Sequence, residues 1–277
     1  MLEFAWYRAA LSTTPAFQHD THPLEPRTGV LCLHGFTGTT FDVETLAAHL
    51  TREGHAVSAP LLPGHGRDVA ALAHTTADAW LDAAHAELRA LCARTGRRVA
   101  IAGTSMGALL ALRLARTHAD DVAALVLMAT PLRLRPLERH GIAALSRLAD
   151  ALGVPGPAIP KAGGVDAADP AVRAAAPSTP AYPLSALSEL LALSDRAATD
   201  LPHITTPALV VHGRLDRTVP IAVSEDVART LGGPVERLWL DRSGHLVAAD
   251  HDRAAVAAAV SGFLSRQARW TRAQARA

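Results

Sequence analysis

Four apolar residues, Val99-Ala100-Ile101-Ala102, run directly into Gly103-Thr104-Ser105-Met106-Gly107, and a helix-patterned run from Ala108 to Ala115 follows at once. A strand that turns into a helix over five residues needs a turn so tight that its flanks tolerate almost no side chain. Glycine occupies both flanks. The residue at the tip is forced into strained backbone geometry with its hydroxyl lifted above the sheet edge, and the positive end of the next helix points at the same spot. Ser105 is therefore placed as a nucleophile. The five-residue pattern alone also occurs in ordinary strand-to-helix loops; the flanking strand and helix signals set this one apart.

Elsewhere, strand-length apolar runs alternate with helical patterns, as in a parallel sheet covered on both faces. Strands are expected near 29–33, 55–59, 98–102, 122–128, 207–212 and 235–240, and helices near 42–53, 77–95, 106–118, 221–231 and 251–267. Val43, Leu46 and Leu50 recur at helical spacing, as do Leu81, Leu88 and Leu91. The alternation stops between Pro131 and Pro207. There Gly153, Pro155, Gly156, Pro157, Pro160, Gly163 and Gly164 cluster between two helical stripes, Ile142/Leu145/Leu148 and Leu184/Leu187/Leu191. A structureless loop of that length is foreign to a compact domain. Residues 132–206 are accordingly read as a small helical cap inserted into a core made of 1–131 and 207–277. About 28 residues precede the first expected strand, so the N-terminal part of the sheet is expected to be shortened.

Composition narrows the partners. A formal net charge of +1 leaves no electrostatic footprint for nucleic acid. Arginine supplies nearly all the positive charge; Lys161 is the sole lysine, a usage that codon bias explains as well as function does. Arg266, Arg269, Arg272 and Arg276 read as a solvated last helix and tail. Cys32 and Cys92 lie in apolar or helical runs and read as unpaired thiols, which fits a reducing compartment. Met1-Leu2-Glu3-Phe4 shows no basic stretch followed by an apolar one, so no secretory leader is expected. The longest apolar runs, such as Val122 to Ala129, are far too short to span a bilayer. A cytoplasmic protein without stable membrane insertion is the expectation.

A nucleophilic serine needs a base, and the base needs an orienting carboxylate. Asp216 follows the strand Leu209-Val210-Val211-His212, and His245 follows the strand Glu236 to Leu240 through a flexible Ser243-Gly244 approach. The C-terminal ends of parallel strands converge on one crevice, so Ser105, Asp216 and His245 can meet there. Asp241 and Asp250 lie nearer His245 in sequence and compete for the acid role, although Asp250 is placed to cap the last helix. A zinc reading of His245, Asp250 and His251 lacks helical His spacing and a thiolate partner. No metal and no cofactor are expected. The Gly-rich loop His34-Gly35-Phe36-Thr37-Gly38 follows the first expected strand and can aim backbone N–H groups at Ser105. In a fold of this kind the oxyanion donors are the amides of that loop and of the residue after the nucleophile, which assigns Phe36 and Met106. Gly64-His65-Gly66 lacks the ending of a phosphate-binding loop; His34 and His65 are expected to bond within their loops, and Trp80 to be core.

These motifs, with His212-Gly213-x-x-Asp216 and Ser243-Gly244-His245, resemble the α/β-hydrolase superfamily, and within it bacterial carboxylesterases and monoacylglycerol-lipase-like serine hydrolases. The likeness spans about 30–265. The sequence departs from it at Thr104, where leucine or phenylalanine is frequent, and at Ala108, where a further glycine is common. The resemblance implies cofactor-free hydrolysis of carboxylic esters, a small lid, and a Ser105–Asp216–His245 triad. The expected function is a serine carboxylesterase acting through a Ser105 acyl-enzyme on short-to-medium-chain esters, monoacylglycerols among them. Gly35, Leu187 and Leu191 are expected to face the small-molecule ester. A carbon–carbon bond hydrolase, a cofactor-free perhydrolase, an amidase, and a ligand receptor on a hydrolase scaffold are the alternatives.

Overall fold

The computed structural model describes residues 17–19, 28–132, 141–142, 144–145 and 156–274. Its main sheet has the order β1 (Phe17–His19), β3 (Ala56–Ala59), β2 (Gly29–Leu33), β4 (Val99–Thr104), β5 (Val122–Met128), β8 (Ala208–Gly213), β9 (Val235–Leu240). Every neighbouring pair is parallel except β1 with β3. The three-residue β1 carries no expected strand signal; it adds a short antiparallel edge ahead of the six expected strands. The fold is that of an α/β-hydrolase with a shortened N-terminal sheet.

Strand residues alternate between two cores, as the two-residue period of a strand demands. Leu31, Leu33, Ile101, Leu125, Leu127 and Val210 face one cluster, and Val30, Cys32, Ala100, Ala102, Val126 and Val211 the other. The first is covered by α3 (Ala77–Thr95) and α4 (Met106–Thr117), the second by α1 (Phe41–Arg52) and α8 (Arg253–Gln274). Helix α1 offers the stripe Val43, Leu46, Ala47, Leu50. Helix α3 starts on Thr76, whose side chain accepts from the Ala79 N–H, and ends at Gly96 in the left-handed region, φ 61°. Helix α4 is buried on nearly every face, so its apolar residues are not confined to a stripe. Each fully buried leucine in these layers contributes roughly 1.5–3 kcal/mol. Cys32 is buried and Cys92 half-buried, both as free thiols.

Between β5 and β8 the chain adds elements that the sequence pattern did not all announce. A two-stranded antiparallel ribbon pairs β6 (Ala158–Pro160) with β7 (Ala181–Pro183), too short to show a strand period. Helix α5 (Pro170–Ala175) is capped by Asp169, which accepts from the Ala171 N–H. Helix α6 (Leu184–Asp200) carries the second expected stripe and packs against α3 and α4. It is pinned there by Glu189 accepting from the Ala77 N–H at 2.9 Å, by Ser194 donating to the Pro131 carbonyl at 3.0 Å, and by an Arg113–Asp200 ion pair. Of the first expected stripe, Ile142 and Leu145 are helical; Leu148 lies outside the described residues, as do Gly153 and Pro155. A short helix, α2 (Val69–Ala73), precedes α3, and α7 (Ile221–Thr230) links β8 to β9. Among the described residues, no helix is long and apolar enough to cross a membrane.

Candidate active site

The register of the sheet brings the loops together. Leu33 pairs with Gly103, Thr104 with Met128, and Gly213 with Leu240, so β2, β4, β8 and β9 deliver their loops to one edge.

Ser105 stands at the strand-to-helix corner with φ 53° and ψ −117°, a backbone state that L-residues rarely adopt. Its N–H is held by the Met128 carbonyl at 2.8 Å. The corner closes only because both flanks lack a side chain. A Cβ on Gly103 would lie 2.2 Å from the Gly107 carbonyl oxygen, and one on Gly107 would lie 2.2 Å from that of Leu33. Helix α4 begins at Met106, so its free amides and positive end face the serine.

His245 Nδ1 donates to Asp216 Oδ2 at 2.8 Å, and Asp216 Oδ1 accepts from the Thr218 and Val219 amides, each at 2.8 Å. That bond puts the imidazole proton on Nδ1 and leaves Nε2 as the basic nitrogen. Burial works against protonating His245, but the Asp216 charge and hydrogen bond, with Asp166 and Asp42 further off, outweigh it and hold its pKa above the ordinary histidine value. Burial likewise opposes charging Asp216; His245 and the Val219 amide reverse this and bring its pKa below the usual carboxylate range. The other two acids are engaged elsewhere. Asp241 pairs at the surface with Arg214 at 2.9 Å. Asp250 does not cap α8; its carboxylate accepts from the amides of Ala168, Asp169, Gly244 and His251 and ties the inserted segment to the His245 loop.

The Phe36 loop lies against Ser105: a Cβ on Gly35 would stand 3.3 Å from the Ser105 Cβ. Gly38 N–H closes a turn on the Gly35 carbonyl, and Gly35 N–H donates to buried Asp42 at 3.0 Å. Among the described residues no acceptor takes up the Phe36 or the Met106 amide. The Phe36 ring stacks on Tyr182 and meets Trp80 and His65 edge-on. His34 donates from Nδ1 to the Gly35 carbonyl and accepts the Leu62 N–H at Nε2; His65 donates to the Pro63 carbonyl. Burial lowers their pKa values to about 4 and about 3, so both are neutral braces of these loops. Trp80 is core, its indole N–H donating to the Pro63 carbonyl.

A cavity of about 440 Å³ opens over these groups. Ser105, His245, Gly35, Phe36, Leu187 and Leu191 all line it, whereas Met106 is fully buried beneath. Leu190, Pro131 and Ile142 extend its apolar wall; Asp42, Lys161, Asp166, Ser178 and Thr218 form a polar one. Sequence reasoning missed the polar wall. Asp42 lies in the first turn of the helix that follows the Gly-rich loop, which was a usable signal; Asp166 and Ser178 lie in the irregular insertion and carried none.

The sequence profile of the family described as serine aminopeptidase, S33, matches residues 24–252. The chain belongs to this family. Among relatives of this S33-family chain, the carboxylesterase of Bacillus subtilis (strain 168) is 26% identical over 240 residues, covering 86% of this chain and 92% of the relative. The thermostable monoacylglycerol lipase of Bacillus sp. (strain H-257) is 27% identical over 232 residues, covering 81% and 85%. A solved structure from the work on LipS and LipT, two metagenome-derived lipolytic enzymes, superposes with a TM-score of 0.81 at 28% identity, covering 91% of this chain and 97% of that one. The monoacylglycerol lipase of Paleococcus ferrophilus shares the fold with a TM-score of 0.74 at 17% identity, covering 92% and 100%. The S33-family chain thus stands among serine hydrolases of the esterase and lipase type.

Proposed function

We propose that this chain hydrolyses carboxylic esters through a Ser105 acyl-enzyme, with Asp216 and His245 completing the triad. The observation that carries the reading is the 2.8 Å His245–Asp216 bond beside a strained Ser105 at the floor of one cavity. His245 Nε2 takes the Ser105 proton as Oγ attacks the carbonyl, and Asp216 keeps the imidazole in that tautomer and stabilises the imidazolium. The Phe36 and Met106 amides receive the oxyanion. The imidazolium then protonates the leaving alcohol, and the same nitrogen activates water for deacylation. Asp42 supports the oxyanion loop by accepting from Gly35.

The relatives named for carboxylesterase and monoacylglycerol lipase activity support an ester as substrate. The cavity size and its Leu187/Leu190/Leu191 wall support short-to-medium acyl chains. In this reading, residues 132–206 act as the cap that roofs the site. The test is a fluorophosphonate adduct located by mass spectrometry, with steady-state hydrolysis of p-nitrophenyl butanoate. The adduct is expected on Ser105, and Ser105→Ala is expected to lose on the order of 10⁶ in kcat. Labelling at another residue, or Ser105→Ala within tenfold of wild type, refutes the assignment.

A further inference from the structure

In a chain whose every other long basic side chain is arginine, the single lysine stands in the wall of the cavity that holds Ser105. Lys161 follows β6, and its Nζ donates to Thr37 Oγ1 at 2.8 Å and to Ser178 Oγ at 2.5 Å. It lies 5.4 Å from the Tyr182 ring centroid, on the side that bears the ring's negative face. Thr37 immediately follows Phe36, so the ammonium sits beside the oxyanion loop. Its surroundings do not neutralise it at contact. Both its hydrogen-bond partners are neutral hydroxyls, and among the described residues no carboxylate forms an ion pair with it.

The two carboxylates sharing its wall are occupied. Asp42 accepts from the Gly35 amide and acts on Lys161 only through space. Asp166 accepts from the Arg217 and Thr218 amides and from the Thr218 hydroxyl, and pairs with Arg217 Nε at 3.2 Å. An ammonium has three N–H donors, two of which are spent on Thr37 and Ser178. A mostly buried cation that, among the described residues, has one donor to spare and no contact anion is costly unless a ligand supplies the anion. Resting on the ester-hydrolase reading, we propose that Lys161 forms an anion subsite and that the preferred substrate is an ester carrying a carboxylate. The opposite, apolar wall of Leu187 and Leu191 then takes the hydrocarbon part of the same molecule.

The experiment compares each carboxylate ester with its neutral amide isostere. Monomethyl adipate against methyl 5-carbamoylpentanoate puts the charge on the acyl side. 4-(Butanoyloxy)benzoate against 4-(butanoyloxy)benzamide puts it on the alcohol side. In at least one pair, wild type is expected to favour the carboxylate by tenfold or more in kcat/KM, and the arm that responds identifies the side. Lys161→Met is expected to bring that ratio to one or below; because the ratio is taken within each enzyme, a general loss of activity cancels. A second readout needs no variant. Reductive methylation of the wild-type protein, located by mass spectrometry, reports on Lys161 alone among side chains. Adipate is expected to slow that labelling at least threefold more than adipamide at equal concentration. Carboxylate-to-amide ratios near one in both pairs, a preference that survives Lys161→Met, or equal labelling with the two probes overturns the proposal. Failure of the ester reading is distinct: no ester of either charge is then hydrolysed, while the labelling still reports whether Lys161 holds an anion.

Discussion

Replacing Gly107 with alanine tests the site through its backbone rather than through a reacting group. The added Cβ would sit 2.2 Å from the Leu33 carbonyl oxygen, 2.6 Å from its carbon and 2.9 Å from the His34 carbonyl oxygen. Ordinary contact needs at least 3.4 Å, so the two segments must part by about 1 Å, a displacement worth about 10² in rate at a positioned site. What parts is specific. Gly107 follows Met106, while Leu33 and His34 lead into Phe36, so the clash drives the two oxyanion amides apart. Losing one such donor costs about 10²–10³ in kcat. We expect Gly107→Ala to lower kcat on p-nitrophenyl butanoate by about 10²–10³ with KM changed less than threefold. Overpacking against backbone should also cost about 1–3 kcal/mol of stability, read as a lower midpoint of thermal unfolding by circular dichroism. Gly141→Ala, where an added Cβ meets nothing within 4 Å, is the matched control and should stay near wild type in both. A Gly107→Ala enzyme with kcat within threefold of wild type would refute the reasoning.

Four further outcomes are expected. Asp216→Asn should lose about 10⁴ in kcat through the wrong imidazole tautomer, whereas Asp241→Asn, at the surface with Arg214, should stay within threefold; the reverse ranking would move the acid to Asp241. In wild type the acidic limb of kcat/KM should lie above the ordinary histidine range, because activity falls as His245 takes a proton and its pKa is raised; in Asp216→Asn the residual activity should show that limb at lower pH. Burial pushes the Asp42 carboxyl from 3.8 up to about 6, so its contribution to stability is full below the unfolded value and is lost as pH rises through about 6. At about 1.4 kcal/mol per pH unit the loss approaches about 3 kcal/mol, and urea melts should show Asp42→Asn gaining on wild type from pH 4 to pH 7.5; a pH-independent difference would contradict this. Across p-nitrophenyl esters, kcat/KM should rise about fourfold per methylene, at about 0.8 kcal/mol each, and then fall at medium length, with Leu187→Trp or Leu191→Trp moving the peak to shorter chains; a flat profile would exclude a closed acyl pocket.

Much of this molecule is written in local pattern. The strand–Gly-x-Ser-x-Gly–helix unit, the two-residue strand period and the 3.6-residue stripes of α1, α3 and α6 each act between near neighbours, so they are legible in order along the chain. The parallel sheet and the loops bearing Ser105, Asp216 and His245 follow from that order, because parallel strands end at one edge. Other features depend on contacts between residues far apart in the chain. Chain order and motif already favoured Asp216 over Asp241 and Asp250; what only the fold decides is that Asp216 bonds His245, while Asp241 pairs with Arg214 at the surface and Asp250 is drawn off by four amides. Along the chain Lys161 carries no signal beyond codon usage; its place in the cavity wall comes from its hydrogen bond to Thr37, 124 residues away. Asp42 draws its place at the site from burial and from accepting the Gly35 N–H, which no local pattern encodes. The ribbon of β6 and β7 has strands of three residues, too short for periodicity, and forms only where the fold brings them together. Short-range pattern determined the sheet and the tight strand-to-helix corner that bears Ser105; long-range burial and hydrogen bonding decided which polar groups share the cavity.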